Sequence, residues 1–295
     1  MSQSMYFDNK ELFTGPKVNQ YGSHMLMTNV TKPTKRKYVN IDTKFRDEYN
    51  SNVTSDYNIT LPERITDVRS ISVTNVEIPM TFFNISENLG NNAMKVGSSV
   101  IIVPDGEYTL TTLVAALNVT AIAITFATSS NKITISADTG TFAIDFGVDS
   151  IGGFAKYNFK SRLGWLMGFR QQTYTIVSGT NTMTSEFLVD LSGPRYLYLV
   201  IDEFTGNGNQ KSFVSPLPSS VINKNILARI PLNKQTYTFM SVLPLGLSTG
   251  ILTDVRSYTG KVDIQKLNVQ LVNENGIAMN LNGADFSFCL EIEHE

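Results

Sequence analysis

The run ADFSFCLEIE near the C-terminus alternates apolar and polar side chains without a break. The apolar residues share one parity and are Phe286, Phe288, Leu290 and Ile292. Successive side chains of a β-strand point to opposite faces, so this pattern predicts a strand that is buried on one face. The side chains between them, including Cys289 and Glu291, are predicted to lie on the opposite face.

The same alternation recurs along the chain in KYVNID, DYNITLP and KVDIQKLNVQLV, while RYLYLVID is apolar almost throughout, as in a central strand. In two stretches the apolar parity changes, between Val73 and Val76 and between Ile264 and Leu267. A β-bulge at each place would keep both apolar sets on one face. Many short strands with long connections predict a mainly β fold, a jelly-roll-like antiparallel β-sandwich.

Between these strands the period changes, which predicts a small inserted α+β unit. Leu110, Leu113, Val114 and Leu117 recur at helical spacing, and Thr109 before them is a suitable N-cap. Two strands, AIAITFA and KITISA, follow with TSSN as the turn between them. SRLGWLMGF, with the only tryptophan, is predicted to form a short helix or a tight turn.

The N-terminal stretch is predicted to be an extended arm, because it lacks a sustained apolar period and contains Pro16 and Pro33. The expected organisation is an extended N-terminal arm at 1–36, a first part of the β-sandwich at 37–94, an inserted α+β unit at 95–183, and a second part of the sandwich at 184–295.

Charge and cysteine content exclude several classes of protein. The net charge of −2 gives no general reason to expect a nucleic-acid partner. A single cysteine cannot form an intramolecular disulfide, so we expect folding in a reducing compartment.

The first residues do not have the pattern of a signal peptide, and no apolar run reaches the roughly 20 residues that a membrane-spanning helix needs.

The residues needed for common catalytic sites are scarce. The chain has two histidines, His24 in the arm and His294 next to the last residue, so neither a Ser-His-Asp nor a Cys-His site is predicted. Zinc sites need clusters of cysteine and histidine, which are missing. Cys289 is interpreted as a small packed residue rather than a nucleophile. No catalytic residue, cofactor site or metal ligand is predicted.

The carboxylates of KRKYVNIDTKFRDEYN allow two interpretations. Asp42, Asp47 and Glu48 could form a catalytic cluster, or they could lie on the exposed face of a strand and in the following turn. Lys44 and Arg46 lie between them, which favours surface ion pairs. Four more carboxylates are candidate partners across a cleft, and spacing alone pairs none of them: Asp202, Glu203, Asp254 and Asp263.

A basic cluster ends the arm: Lys32, Lys35, Arg36 and Lys37. Residues 1–40 carry six basic and two acidic side chains, which gives a local charge of +4. The cluster could contact a partner such as anionic lipid, nucleic acid or an acidic protein surface, or it could be a solvated linker. Both interpretations stay open at this point, and the aromatic residues that single-strand binders interleave with basic ones are missing.

Several blocks in a fixed order carry a family resemblance: KYVNIDTKFRDEY, YNITLPERITDVRSISVTNVEIP, RYLYLVIDEF, ILARIPL and the closing run SYTGKVDIQKLNVQLVNENGIAMNLNGADFSFCLEIE. Together they resemble the minor capsid proteins of nucleocytoplasmic large double-stranded DNA viruses, the group that includes algal and giant viruses. The resemblance covers about residues 37–94 and 184–295. It implies a virion component without catalytic activity, which lies beneath or between capsomers.

The implied partners are capsomers of the major capsid protein and other minor capsid proteins. An inner membrane surface is a further partner that the basic arm could contact, and no specific nucleic acid is expected. The implied location is the inner side of the capsid shell, after synthesis in the host cytoplasm. The alternative is a carbohydrate-binding or fibre-like virion sandwich, for which Tyr174, Tyr237 and Tyr258 are candidate exposed aromatics.

Overall fold

The computed structural model describes residues 17–18, 24–25, 33–48, 53–121, 123–152, 159–204 and 225–295. The strands are β1 Lys17–Val18, β2 His24–Met25, β3 Lys35–Asp42, β4 Asp56–Pro79, β5 Ala93–Val96, β6 Ser99–Ile102, β7 Ile124–Ser129, β8 Lys132–Ala137, β9 Thr141–Asp145, β10 Thr173–Val177, β11 Met183–Thr184, β12 Tyr196–Asp202, β13 Ile226–Pro231, β14 Val242–Gly246, β15 Leu252–Thr253, β16 Arg256–Val272 and β17 Ser287–His294. The α-helices are α1 Leu110–Thr120 and α2 Leu163–Leu166.

The largest sheet has the order β15-β13-β12-β16-β4-β17-β3, and β14 also pairs with β4. Neighbouring strands in it are antiparallel. Leu199 of β12, Ile65 of β4 and Leu290 of β17 belong to one buried cluster, although their strands are spread across the sheet. The sheet therefore curls around a common core. The predicted mainly β, jelly-roll-like antiparallel class is confirmed.

Strand β4 is the longest of the described strands, with 24 residues. Its first half pairs with β16, and its second half pairs with β17 and β14. Cys289 of β17 is opposite Asn75, whereas the next residue, Leu290, is opposite Val73, so Thr74 is an extra residue. This is the predicted bulge, and it lets Val73 and Val76 both point into the core.

The other parity change is also a register irregularity. On β16, the pairing with β4 shifts between Ile264 and Lys266. Ile264 and Leu267 are both buried as a result. On β17 the predicted face is confirmed, because Phe286, just before the strand, and Phe288 within it are at most 2% exposed.

A second buried cluster collects residues between Ile85 and Met183. It lies among α1 and two smaller sheets, of order β10-β9-β5-β6 and β11-β8-β7. Thr109 caps α1 by accepting a hydrogen bond from the Thr112 N–H, as predicted. The β7–β8 hairpin turns at Ser130 and Asn131, whose φ angles of 52° and 59° match a two-residue turn of the primed type.

The chain enters and leaves this second region at neighbouring points. The Asn84 side-chain N–H donates to the Leu191 carbonyl at 3.0 Å. The cluster and the residues packed on it reach from Ile85 to Leu191, further on both sides than the expected 95–183. We propose that residues 85–191 form a unit inserted into the curled sheet, because the two ends of this range meet at the Asn84–Leu191 hydrogen bond.

The N-terminal part contains less described structure. β1 and β2 pair with each other, and most of the predicted arm lies outside the described residues. Strand β3 begins at Lys35, two residues before the expected start of the sandwich at residue 37. Lys35 and Arg36 therefore belong to the sheet rather than to the arm.

Truncating Phe288 tests the buried face of β17. The Phe288→Ala variant should lower the free energy of unfolding by about 3–5 kcal/mol, because it leaves a cavity in the main core. Cys289→Ala, on the opposite face, is the control and should change it by less than about 1 kcal/mol. Chemical denaturation measures both variants, and equal small losses would show that the faces are assigned incorrectly.

Excision tests the inserted unit. Replacing residues 85–191 by a short Gly/Ser linker should leave the curled sheet folded, because the main core contains no residue from that range except the partly buried Leu89. Near-UV circular dichroism of the excised chain should keep its tertiary signal and show a cooperative thermal transition. A molten chain without that signal would refute the proposal.

Candidate functional site

The basic cluster that the sequence singled out is largely engaged within the fold. Arg36 on β3 pairs with Glu291 at 3.2 Å and with Glu293 at 3.3 Å on the neighbouring strand β17. Lys37 donates to Glu63 of β4, and this ammonium lowers the pKa of the Glu63 carboxyl. Lys35 is exposed at the start of β3, and Lys32 lies outside the described residues.

The carboxylates near β3 cap backbone groups and form no cluster facing a cleft. Asp42 accepts from the Lys44 N–H at 2.9 Å and caps the 3-10 turn that follows β3. Asp47 accepts from the Thr60 N–H at 2.9 Å and from its hydroxyl at 2.8 Å. Glu48 is exposed. These contacts favour the structural interpretation of the opening cluster.

Two of the other carboxylates also bond nearby backbone. Asp202 accepts from the Phe204 N–H and Asp254 from the Val255 N–H, each at 2.9 Å. Asp263 accepts from the Arg64 guanidinium at 2.7 Å. Each of the three is thus held by a hydrogen-bond or ion-pair partner.

Glu203 is different, because it lies in a buried polar network that spacing did not reveal. Its side chain accepts from Arg256 at 2.7 Å and from the Tyr258 hydroxyl at 2.6 Å. Arg256 also donates to the carbonyls of Ile201 and Asn225, at 2.8 and 2.9 Å. The network therefore ties the end of β12 and the start of β13 to the start of β16.

The same network explains the state of Tyr258. Burial, together with the Glu203 carboxylate, raises the pKa of this phenol well above its ordinary value. The hydroxyl therefore stays protonated and donates to the carboxylate. Tyr258 is 8% exposed, so the expectation that it is an exposed aromatic was wrong.

An open cleft of about 390 Å³ lies between the inserted region and the curled sheet. Trp165, Tyr196 and Arg195 line it. The guanidinium of Arg170 covers the Trp165 ring at 3.9 Å from its centre. A sugar-binding platform needs an open ring face, so this contact does not favour the carbohydrate alternative. Tyr174 and Tyr237 do not favour the carbohydrate alternative either, because both are half-buried. The Tyr174 hydroxyl also donates to Glu186 at 2.6 Å.

A smaller cleft of about 170 Å³ contains one amine and one carboxyl group. Burial lowers the pKa of Lys234, and the nearby Glu107 opposes this shift. Burial also raises the pKa of Glu107, which accepts from the Asn84 N–H at 3.0 Å. These two groups lack the nucleophile, base and orienting group of a covalent catalytic site.

Among the described residues, no group of three or more His, Cys, Asp or Glu side chains could hold a metal ion. No helix in the described ranges is both long and apolar enough to span a bilayer. Cys289 is half-buried on β17, on the face opposite the core.

The feature that sequence reasoning missed is a stretch of chain rich in exposed apolar side chains, here called the 240–255 surface. It consists of Met240, Val242, Leu247, Leu252 and Val255, each more than half exposed. Pro and Gly residues interrupt this stretch, so neither a strand nor a helix period was visible. Large exposed apolar side chains this close along the chain make the stretch a candidate contact for another molecule.

Comparisons with known proteins concern the fold. No protein-family model matches this chain, and no curated protein matches it. Among solved structures, it is similar to the mavirus penton protein, with 10% identity, a TM-score of 0.45 and coverage of 88% of this chain and 100% of that chain. It is also similar to a chain of the Sputnik virophage solved by cryo-EM, with 16% identity, a TM-score of 0.41 and coverage of 89% and 98%. At these values neither likeness assigns a function to this chain.

Changing Glu203 tests whether the buried network is structural. Glu203→Gln should lower the free energy of unfolding by about 3–5 kcal/mol, because it leaves the Arg256 guanidinium buried without its carboxylate. Glu293→Gln, which removes a partner of the exposed Arg36, is the control and should cost about 1 kcal/mol or less. Denaturation curves measure both, and a Glu203→Gln variant as stable as the control would contradict this role.

Proposed function

We propose that this chain is a structural minor capsid protein, a cement or scaffold component that binds capsomers or other minor capsid proteins and stabilises a large icosahedral virion. The observation that carries the proposal is the 240–255 surface. Its five large side chains are exposed by 55% to 74% in the isolated chain. The exposure of these side chains is explained if a neighbouring protein covers them in the particle.

The position of this surface suits a role in assembly. It includes β14 and β15, and β15 is the last strand at one end of the largest sheet. Strands β14 and β15 hold two of the exposed side chains, Val242 and Leu252, so binding a partner would require little reordering of the backbone at these two positions. Exposed apolar edges are an aggregation hazard that folded proteins usually avoid, so a partner that covers this edge accounts for it.

The polar groups support the same function. The carboxylates that the sequence singled out, apart from the exposed Glu48, cap backbone groups, pair across strands or join the Glu203 network. None of them is arranged around a cleft as an acid, base and nucleophile would be. A protein whose polar groups hold its own strands together fits a scaffold better than an enzyme. The family resemblance of the sequence blocks points in the same direction.

The proposed location is the inner side of the shell, with synthesis in the host cytoplasm. Arg36 and Lys37 are engaged with glutamates of the sheet, so they contribute less to a membrane contact than their sequence suggests. Capsomers and other minor capsid proteins are therefore the favoured partners. Contact of the exposed Lys35 with an inner membrane is a secondary possibility within this proposal.

Incorporation into particles tests the proposed function. A Met240→Asp, Leu247→Asp variant should keep the melting temperature of the parent, because both side chains are exposed. It should be reduced by about tenfold or more in purified virions, because each buried charge opposes docking by more than about 1 kcal/mol. Quantitative mass spectrometry of virions measures the occupancy.

The matched control is Val119→Asp, which places the same charge at an exposed apolar position on α1, away from the 240–255 surface. It should enter particles at the parental level. If the parent chain is missing from purified virions, the capsid function is wrong. If the double variant enters at the parental level, the 240–255 surface is not the contact.

A further inference from the structure

Two strand edges of the largest sheet face each other without pairing as strands in the described residues. β3 pairs with β17 on one side, and within the described residues no strand pairs with its other side. Residues 59–65 of β4 pair with β16 on one side, and β17 reaches β4 only from residue 68 onward. The curled sheet is therefore open between β3 and the first half of β4.

A groove of about 630 Å³ lies along this opening. We call it the β3–β4 slot and define it by residues 37–42 of β3 and residues 59–65 of β4, with Phe45 beside them. Val39, Ile59, Leu61 and Ile65 lie on its core side, since they belong to the main core or pack against it. Tyr38 and Phe45 form the outer rim and are 62% and 74% exposed.

Side chains bridge the slot where backbone pairing is missing. At one end, Asp47 accepts from the Thr60 N–H, a backbone group that a neighbouring strand would otherwise pair. Toward the other end, Lys37 reaches across to Glu63. Pro62 has no N–H to donate, and proline within a sheet is confined to edges and bulges. The opening is thus bridged by side chains and not by paired strands along residues 37–42 and 59–65.

The geometry points to strand addition: we propose that the β3–β4 slot accepts a β-strand donated by the N-terminal segment, residues 1–32, of a second copy of this chain. This inference rests on the proposed function, because it names one contact by which the protein would assemble. The donated strand would bond to unpaired N–H and C=O groups of β3 and β4. Its alternate side chains would lie over the apolar core side of the slot.

The N-terminal segment is a suitable occupant by pattern. Leu26, Thr28 and Val30 share one parity, and Met27, Asn29 and Thr31 share the other. As a strand, this stretch would place Leu26 and Val30 toward the core side, and Met27, Asn29 and Thr31 on the outer side. Residues 59–65 span about 20 Å at roughly 3.3 Å per residue, which matches the length of this stretch.

A donor from a second copy is favoured over the chain's own segment. A hairpin that pairs residues 26–32 along their whole length with their own β3 would need a tight turn at Pro33 and Thr34. The favoured two-residue hairpin turns need a positive φ at their first residue, and proline holds φ near about −65°. In the described structure, moreover, β1 and β2 pair with each other and not with β3.

Peptide binding to the full-length chain tests the proposal. Fluorescently labelled peptides of residues 1–16 and 17–32 are titrated with the protein, and anisotropy is measured. The 17–32 peptide should bind saturably, and Thr28→Pro in the peptide should weaken binding by about tenfold or more, because it removes a ladder N–H. Hydrogen–deuterium exchange should slow at residues 37–42 and 59–65 when the peptide is present.

Protein variants locate the site. Tyr38→Asp, at the exposed rim, should weaken peptide binding, whereas Val119→Asp should not. If neither peptide binds, or if protection appears away from the slot, the proposal is overturned. Binding of the 17–32 peptide that survives both Thr28→Pro and Tyr38→Asp also overturns it. These measurements use purified protein, so their outcome is independent of whether the chain is found in virions.

Discussion

The fold depends on the backbone pairing of β4, one strand that borders β16, β17 and β14 in turn. A strand of this length must keep its apolar side chains on the inner face while the sheet curls. The extra residue at Thr74 makes this possible, because it restores the inward parity after Val73. If the register of β4 against β17 changed by one residue, the apolar side chains of β4 would point to solvent. The register therefore also determines which side chains are exposed and can contact a partner.

The positions of the polar side chains follow from the same constraint on strand pairing. Strand ends and turns leave backbone groups unpaired, and Asp42, Asp47 and Asp202 satisfy several of them. The buried Glu203–Arg256 pair connects the ends of β12, β13 and β16, where the sheet turns and ladder bonds stop. These carboxylates thus stabilise the scaffold, while two features remain open to partners, the 240–255 surface and the β3–β4 slot.

The sequence predicted those elements whose pattern is local. Alternation identified β17 and its buried face, helical spacing and Thr109 identified α1, and a change of parity identified the bulge at Thr74. Contacts between distant residues were not predictable, because spacing does not show which strands become neighbours. Glu203 meets Arg256 across 53 positions of the chain, and this pairing also buries Tyr258, which was expected to be exposed.

A near-atomic cryo-EM map of purified virions is the most direct test of an assembly role for this chain. The account predicts density for the chain within the shell, with another protein covering the 240–255 surface and a strand lying between β3 and residues 59–65 of β4. A map in which the chain is present but both surfaces face solvent would contradict the account.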